Sequence, residues 1–246
     1  MDRKNAIRIA SSLPATAKVL DVGGGSAPFP RADYVLDARP FEAGSWQTKK
    51  LLEDVIPRRF DKSTWVQRDV CRRDPWPFGD KYFDYVVCSH LLEDIRDPIW
   101  ACLELQRVSK AGYIEVPSRI SEQCLGIEHP KYVGFCHHRW LVDVKDNEIE
   151  FRAKAHMIHS FRSAIIAKIG AGKRLNPKYA IQCFEWVAEF SCKEILLLNE
   201  EEMAADFVEY ARNTKTLPHL VVPRGEPFGK QLRRSIYFAR LRLGLL

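Results

Sequence analysis

The run Lys18-Val19-Leu20-Asp21-Val22 passes directly into Gly23-Gly24-Gly25. This junction narrows the possible folds more than any other feature of the chain. A short, continuously apolar run suits a strand covered on both faces, as in a parallel sheet. Glycines directly after it let the backbone turn sharply and let a ligand approach with no Cβ in the way. A second run, Tyr34-Val35-Leu36-Asp37, ends only 12 residues beyond Gly25. The segment between carries Pro28 and Pro30, which leave little room for a long helix.

The same alternation of apolar runs and connecting segments continues downstream, the mark of a parallel sheet with covering helices. Thr64-Trp65-Val66-Gln67 predicts a third strand, Phe83 to Cys88 a fourth and Gly112 to Val116 a fifth, stopped by Pro117. Asp97-Pro98 opens a helix through Val108, with Pro98 at its first position. Trp140 to Val144 and Glu148 to Phe151 flank Asp146-Asn147 and read as a closing hairpin. The fold class predicted is α/β: strands linked by crossovers and then a closing hairpin resemble the methyltransferase form of the doubly wound, Rossmann-like sheet, mostly parallel with its last strand antiparallel, with a C-terminal cap. The core is expected over residues 1–155 and the cap over 156–246. Within the cap, Ser160 to Ala171 reads as a helix, Ile181 to Leu198 as a second hairpin and Glu200 to Arg212 as an acidic helix.

The length of 246 residues accommodates such a domain with an appendage, and 46% hydrophobic residues suffice for a core. No signal peptide and no apolar run long enough to span a membrane is read, so a cytoplasmic chain is expected. The seven cysteines are scattered without C-x-x-C spacing and are read as reduced core thiols. The net charge of +6 is partly terminal. Lys230, Arg233, Arg234, Arg240 and Arg242 interleave with Leu232, Ile236 and Phe238, a pattern open to peripheral membrane contact or to a packed, solvated helix.

Asp37 closes its strand where a carboxylate meets ribose hydroxyls. A dinucleotide pyrophosphate needs the N-terminus of a proper helix. The stunted crossover after Gly25 therefore favours S-adenosylmethionine, which has no phosphate, over NAD. Asp69, after the third strand, is placed to accept from an adenine amino group, with the Val70 backbone beside it. Asp21, Asp37 and Asp69 together make an acidic cleft on a basic protein, favourable to a sulfonium cation.

Phe83-Asp84-Tyr85-Val86-Val87-Cys88-Ser89-His90-Leu91-Leu92-Glu93-Asp94-Ile95-Arg96-Asp97-Pro98, taken with the glycine junction, resembles the type 11 branch of class I S-adenosylmethionine-dependent methyltransferases. The resemblance covers about Leu20 to Val116. It implies that Asp21, Gly23, Gly24 and Gly25 lie along the methionine part of the cofactor. It also implies Asp37 on the ribose, Asp69 and Val70 on the adenine, and Ser89 and His90 near the donor sulfur. Asp94 stands where the family usually has histidine, and Ala27 where a third glycine of its motif is common.

In-line methyl transfer needs positioning and no metal, and no metal site is expected. Where the acceptor carries a proton, His90, His137 and His138 are the candidate bases; for the last two, a structural role tying an insertion to the core stands open beside it. Glu115 and Arg119 either contact an acceptor or form a structural ion pair. The acceptor expected is a small molecule, a sugar or a lipid-linked glycan. The alternatives are a non-catalytic protein retaining the fold, or an RNA or DNA methyltransferase, against which no basic stripe with exposed aromatics is seen.

Overall fold

Asp2 begins the first helix by accepting the main-chain N–H groups of Lys4 and Asn5 on its carboxylate, satisfying two of the donors that a helix start leaves open. The computed structural model describes residues 1–25, 27–43 and 52–224. Ser26 and the basic segment containing Lys230, Arg233, Arg234, Arg240 and Arg242 lie outside them.

In chain order the elements are α1 (Arg3–Ser12), β1 (Val19–Val22), β2 (Tyr34–Asp37), β3 (Trp65–Gln67), β4 (Tyr85–Ser89), α2 (Pro98–Val108) and β5 (Ala111–Pro117). Then follow α3 (Arg119–Glu122), β6 (Trp140–Lys145), β7 (Glu148–Ala153), β8 (Lys173–Leu175), β9 (Ile181–Val187), β10 (Ser191–Glu194), α4 (Glu200–Thr214) and β11 (Val221–Pro223). The main sheet has the order β3-β2-β1-β4-β5-β9. Its first five strands are parallel, with Leu20 beside Tyr34 and Val86, and Cys88 beside Ile114. Doubly wound order with the direction reversing at β1 and β4 places a ligand site at the carboxyl ends of these strands.

The last strand is antiparallel, as expected, but it is not the hairpin at 140–151. The Ala188 N–H bonds to the Lys110 carbonyl at one end of β5, and the Ser118 N–H bonds to the Ala180 carbonyl at the other. That pairing makes β9 the edge strand. Gly112 on β5 leaves the space for Trp186, which would lie 2.9 Å from a Cβ at that position. The hairpin β6–β7 forms, and joins β10 in a separate three-stranded sheet. Residues 181–198 accordingly form two strands of different sheets rather than a second hairpin.

The chain does not divide at a single point near 155. It crosses several times between two compact units: Met1–Val116, Val144–Glu150 and Cys183–Lys193 form one, and Pro117–Asp143, Phe151–Gln182 and Glu194–Leu246 the other. In the first unit, Ala6 and Ile9 of α1 pack with Val19, Phe29, Ala32, Val87 and Tyr113; full burial of an aliphatic side chain such as Ile9 contributes about 1.5–3 kcal/mol. Phe184, Trp186 and Phe190, within the segment expected in the cap, are buried in this unit instead, Phe190 lying 5.2 Å from Phe184 and 5.3 Å from Trp186 between ring centroids. In the second unit, Phe207 of α4 packs with Val133, Leu141, Ile158 and Ala164.

The helix predicted over Ser160 to Ala171 is replaced by short 3-10 turns and extended chain. The β-branched pair Ile165-Ile166 disfavours a helix. The main chain pairs with 123–125 instead: Ile166 N–H to Gln123, Leu125 N–H to Ala167 and Ile169 N–H to Leu125. Of the cysteines, Cys71, Cys88, Cys102 and Cys124 are buried, whereas Cys136 and Cys183 are exposed and Cys192 half-buried. The core-thiol reading therefore holds for four of them. No described helix is long and apolar enough to cross a membrane.

Candidate active site

Beyond β1 the chain turns at Gly23, whose N–H bonds to the Leu36 carbonyl at 2.8 Å and whose φ of 74° lies in the left-handed region. A side chain there would be strained, and its Cβ would lie 2.7 Å from Leu91. Two carboxylates fix the rest of the loop. Asp37 at the end of β2 accepts the Gly25 N–H on Oδ2 and the Arg39 N–H on Oδ1, both at 2.7 Å. Asp21 of β1 accepts the Phe29 N–H on Oδ2 at 2.7 Å. Burial pushes the Asp21 carboxyl up to about 7, with the Phe29 N–H pulling the other way.

After β3, Asp69 accepts the Cys71 N–H at 2.9 Å and pairs with Arg96 at 2.8 Å. The Cys71 N–H, with Arg96 aiding it, holds this carboxyl below the usual range despite some burial. Val70 beside it is buried.

At the end of β4 the chain leaves the sheet through His90, left-handed at φ 54°. Its N–H bonds to the Glu115 carbonyl at 2.8 Å, and its Nε2 lies 3.1 Å from Glu115 Oε1. Its Nδ1 lies 3.4 Å from Oε1 of the buried Glu93. Burial opposes charge on the ring, but the neighbouring Glu115 and Glu93 carboxylates outweigh it and lift the His90 pKa to about 9. Glu115 is fully buried; that burial works against its charge, yet His90 and Tyr113 bring it down to about 2. It also accepts the Asp2 N–H at 2.8 Å, the Ser89 hydroxyl at 3.3 Å and the Asn5 amide at 3.3 Å.

These strand ends line two cavities. The larger, about 460 Å³, brings together Gly23, Gly24, Gly25 and Asp37 with Asp69, Val70, Ser89 and His90. The smaller, about 370 Å³, holds Asp21 with Phe29, Leu52, Phe60 and Val87, and shares Gly23, Gly24 and Ser89 with the first. Both volumes suit a small ligand, for which roughly 300–1,000 Å³ is usual. The donor set fits S-adenosylmethionine: carboxylates for ribose hydroxyls and a cation, a bare main-chain cradle and, among the described residues, no anion-binding helix start.

Every residue expected at the cofactor thus lines one of the two cavities. His137 and His138 belong to the second unit. There His138 Nδ1 lies 2.6 Å from Glu122, and His137 is 3.3 Å from Glu128. Arg119 is buried in ion pairs with Asp143 and Asp206 of its own unit, a structural network. Asp84 ties the opposite end of the sheet through Lys110 and the Lys18 N–H. Sequence reasoning missed Arg39, which lines the larger cavity and follows Asp37 directly; position after a strand's carboxyl end was its only signal. It also missed Glu93 as a partner of His90.

Residues 44–114 match the model of a methyltransferase domain family. With the sheet order, this match supports a class I S-adenosylmethionine-dependent methyltransferase fold and indicates S-adenosylmethionine as the cofactor. Among solved structures it is similar to the YcgJ protein of Bacillus subtilis (21% identity, 47% of this chain and 50% of that one, TM-score 0.36). It is also similar to an arsenic(III) S-adenosylmethionine methyltransferase of Chlamydomonas reinhardtii (17%, 46% and 49%, TM-score 0.33). A third is an S-adenosylmethionine-dependent methyltransferase of Mesorhizobium loti (14%, 61% and 62%, TM-score 0.35). The chain spans about half the length of the first two. No curated protein matches it.

Proposed function

We propose that this chain transfers a methyl group from S-adenosylmethionine to a small-molecule, sugar or lipid-linked acceptor. The observation that carries the reading is the convergence of Gly23–Gly25, Asp37, Asp69 and Ser89–His90, from four strand ends, on one cavity of about 460 Å³. When bound, the cofactor supplies a methyl group made electrophilic by its sulfonium.

The chain's own residues do the holding. Each Asp37 oxygen keeps a lone pair beyond the N–H it accepts, so ribose hydroxyls can bond to it without releasing Gly25. Asp37 and Asp69 set a negative potential that favours a cation, to which Asp21 adds as pH rises past about 7. The adjoining cavity of about 370 Å³, apolar through Phe29, Leu52, Phe60 and Val87, is the space for an acceptor. Its size favours a small or single-unit acceptor over a polymer.

A thermal-shift titration with S-adenosylmethionine, S-adenosylhomocysteine and NAD, run beside Asp37→Ala, tests this. At a hundredfold excess over its Kd a ligand stabilises by about 2.7 kcal/mol, which is a rise of roughly 5–10 °C for a chain of this size. The rise is expected with the two sulfur nucleotides alone and is diminished in the variant. A response to NAD only, or to none of the three, overturns the reading.

A further inference from the structure

Both ring nitrogens of His90 face carboxylates: Nε2 is 3.1 Å from Glu115 and Nδ1 is 3.4 Å from Glu93. A neutral imidazole carries one N–H and one lone pair, so one of its nitrogens would present a lone pair to an anion. Only the doubly protonated ring gives each carboxylate a donor. Glu93 makes the need acute. It is buried, and neither of its oxygens has a hydrogen-bond partner, the His90 ring at 3.4 Å being its one ion-pair contact among the described residues. An unmatched buried carboxylate is costly. Glu115, fully buried, already accepts from Tyr113, Asp2 and Asn5.

We infer that Glu115 and Glu93 are positioning residues that hold His90 as a fixed imidazolium at the rim of the larger cavity, so that His90 is not the base of methyl transfer. Doubly protonated between the two carboxylates, the ring has no lone pair to offer an acceptor. A proton lost by the acceptor goes to a carboxylate or to water. The groups around the ring are Ser89, Glu93 and Asp94 on its own turn, and Glu115 with Tyr113 on β5. From the α1 side come the Asp2 N–H, the Asn5 amide and the Met1 amino group, the last 3.7 Å from Glu115. The ring's pKa, lifted to about 9, agrees with the geometry. That the cavity serves methyl transfer rests on the function proposed above; the charge of His90 does not.

The test is long-range 1H–15N correlation on the full chain labelled at histidine nitrogens, from pH 6 to 10. His90→Asn, which tolerates the left-handed backbone, assigns the signal. Two protonated-type nitrogens are expected for His90 at pH 7 and still at pH 8. In Glu115→Gln the midpoint falls by about 1–3 units, and in Glu93→Gln it falls as well; backbone amide spectra report whether each variant is folded. One protonated and one bare nitrogen in the unsubstituted chain at pH 7 overturns the inference, as does a midpoint unmoved in a folded variant. Calorimetric titration of the same sample with S-adenosylhomocysteine separates the two ideas. Failure to bind removes the proposed function and leaves the imidazolium at His90 untouched.

Discussion

At the β1–β3 end of the site, three carboxylates accept main-chain N–H groups close to them in sequence: Asp21 from Phe29, Asp37 from Gly25 and Arg39, Asp69 from Cys71. At the β4–β5 end, Glu115 accepts chiefly from groups far away in the chain: the His90 ring, the Ser89 hydroxyl, the Asp2 N–H and the Asn5 amide. The first arrangement shapes a loop, which then offers its backbone to a ligand. The second sets the charge of a side chain. Acids at strand ends can therefore serve opposite purposes within one site, and only their partners tell which.

The contrast can be broken most decisively at Glu115. Replacing it by alanine leaves His90, Tyr113 and Asn5 without their shared acceptor; breaking a buried pair costs about 3–5 kcal/mol, readable as a lower urea midpoint. The pH profile carries the same signature. The Glu115 carboxyl lies below its ordinary 4.5, so its contribution is complete above about 4.5 and is lost as pH falls toward about 2. His90 is raised from 6.5, so its contribution is complete below about 6.5 and is lost as pH climbs through about 9. A urea midpoint that stays level between pH 8 and 10 would erase the distinction between the two ends.

Gly23→Ala sharpens the other side. The positive φ and the 2.7 Å approach to Leu91 predict a loss of about 1–3 kcal/mol, with weaker S-adenosylhomocysteine binding in a calorimetric titration. Wild-type affinity would mean that the ligand does not lean on this turn. Arg96→Ala should do least. The Asp69–Arg96 pair is largely exposed, and such pairs contribute about 0–1 kcal/mol. A larger loss in the same urea assay would show that Asp69 depends on its side-chain partner rather than on the Cys71 N–H.

The same division explains what was legible in the sequence. The glycine junction and its carboxylates act over 2 to 12 residues, so one stretch of chain carries both donor and acceptor. β2, α2 and α4 follow from short apolar patterns and from caps such as Asp97 on Trp100 and Asn199 on Glu202. Glu115 was visible as a charge in an apolar strand, but Asp2 and Asn5 lie 113 and 110 residues away, and nothing local announces such a pairing. The edge strand was misassigned for the same reason. β6 and β9 are both short alternating strands, and nothing local in either marks which of them pairs with β5. The false helix at 160–171 failed where tertiary pairing with 123–125 overrode a weak local preference.

The left-handed backbone at His90 also bears on how the site can change. Few residues other than glycine, asparagine, aspartate and histidine sit there without strain. The repertoire at this rim position is thus narrow before any chemistry is considered. A library aimed at new acceptors gains little by randomising position 90. Around the smaller cavity Phe29 and Phe60 are buried in the core, so half-buried Leu52 is where variation is most readily absorbed.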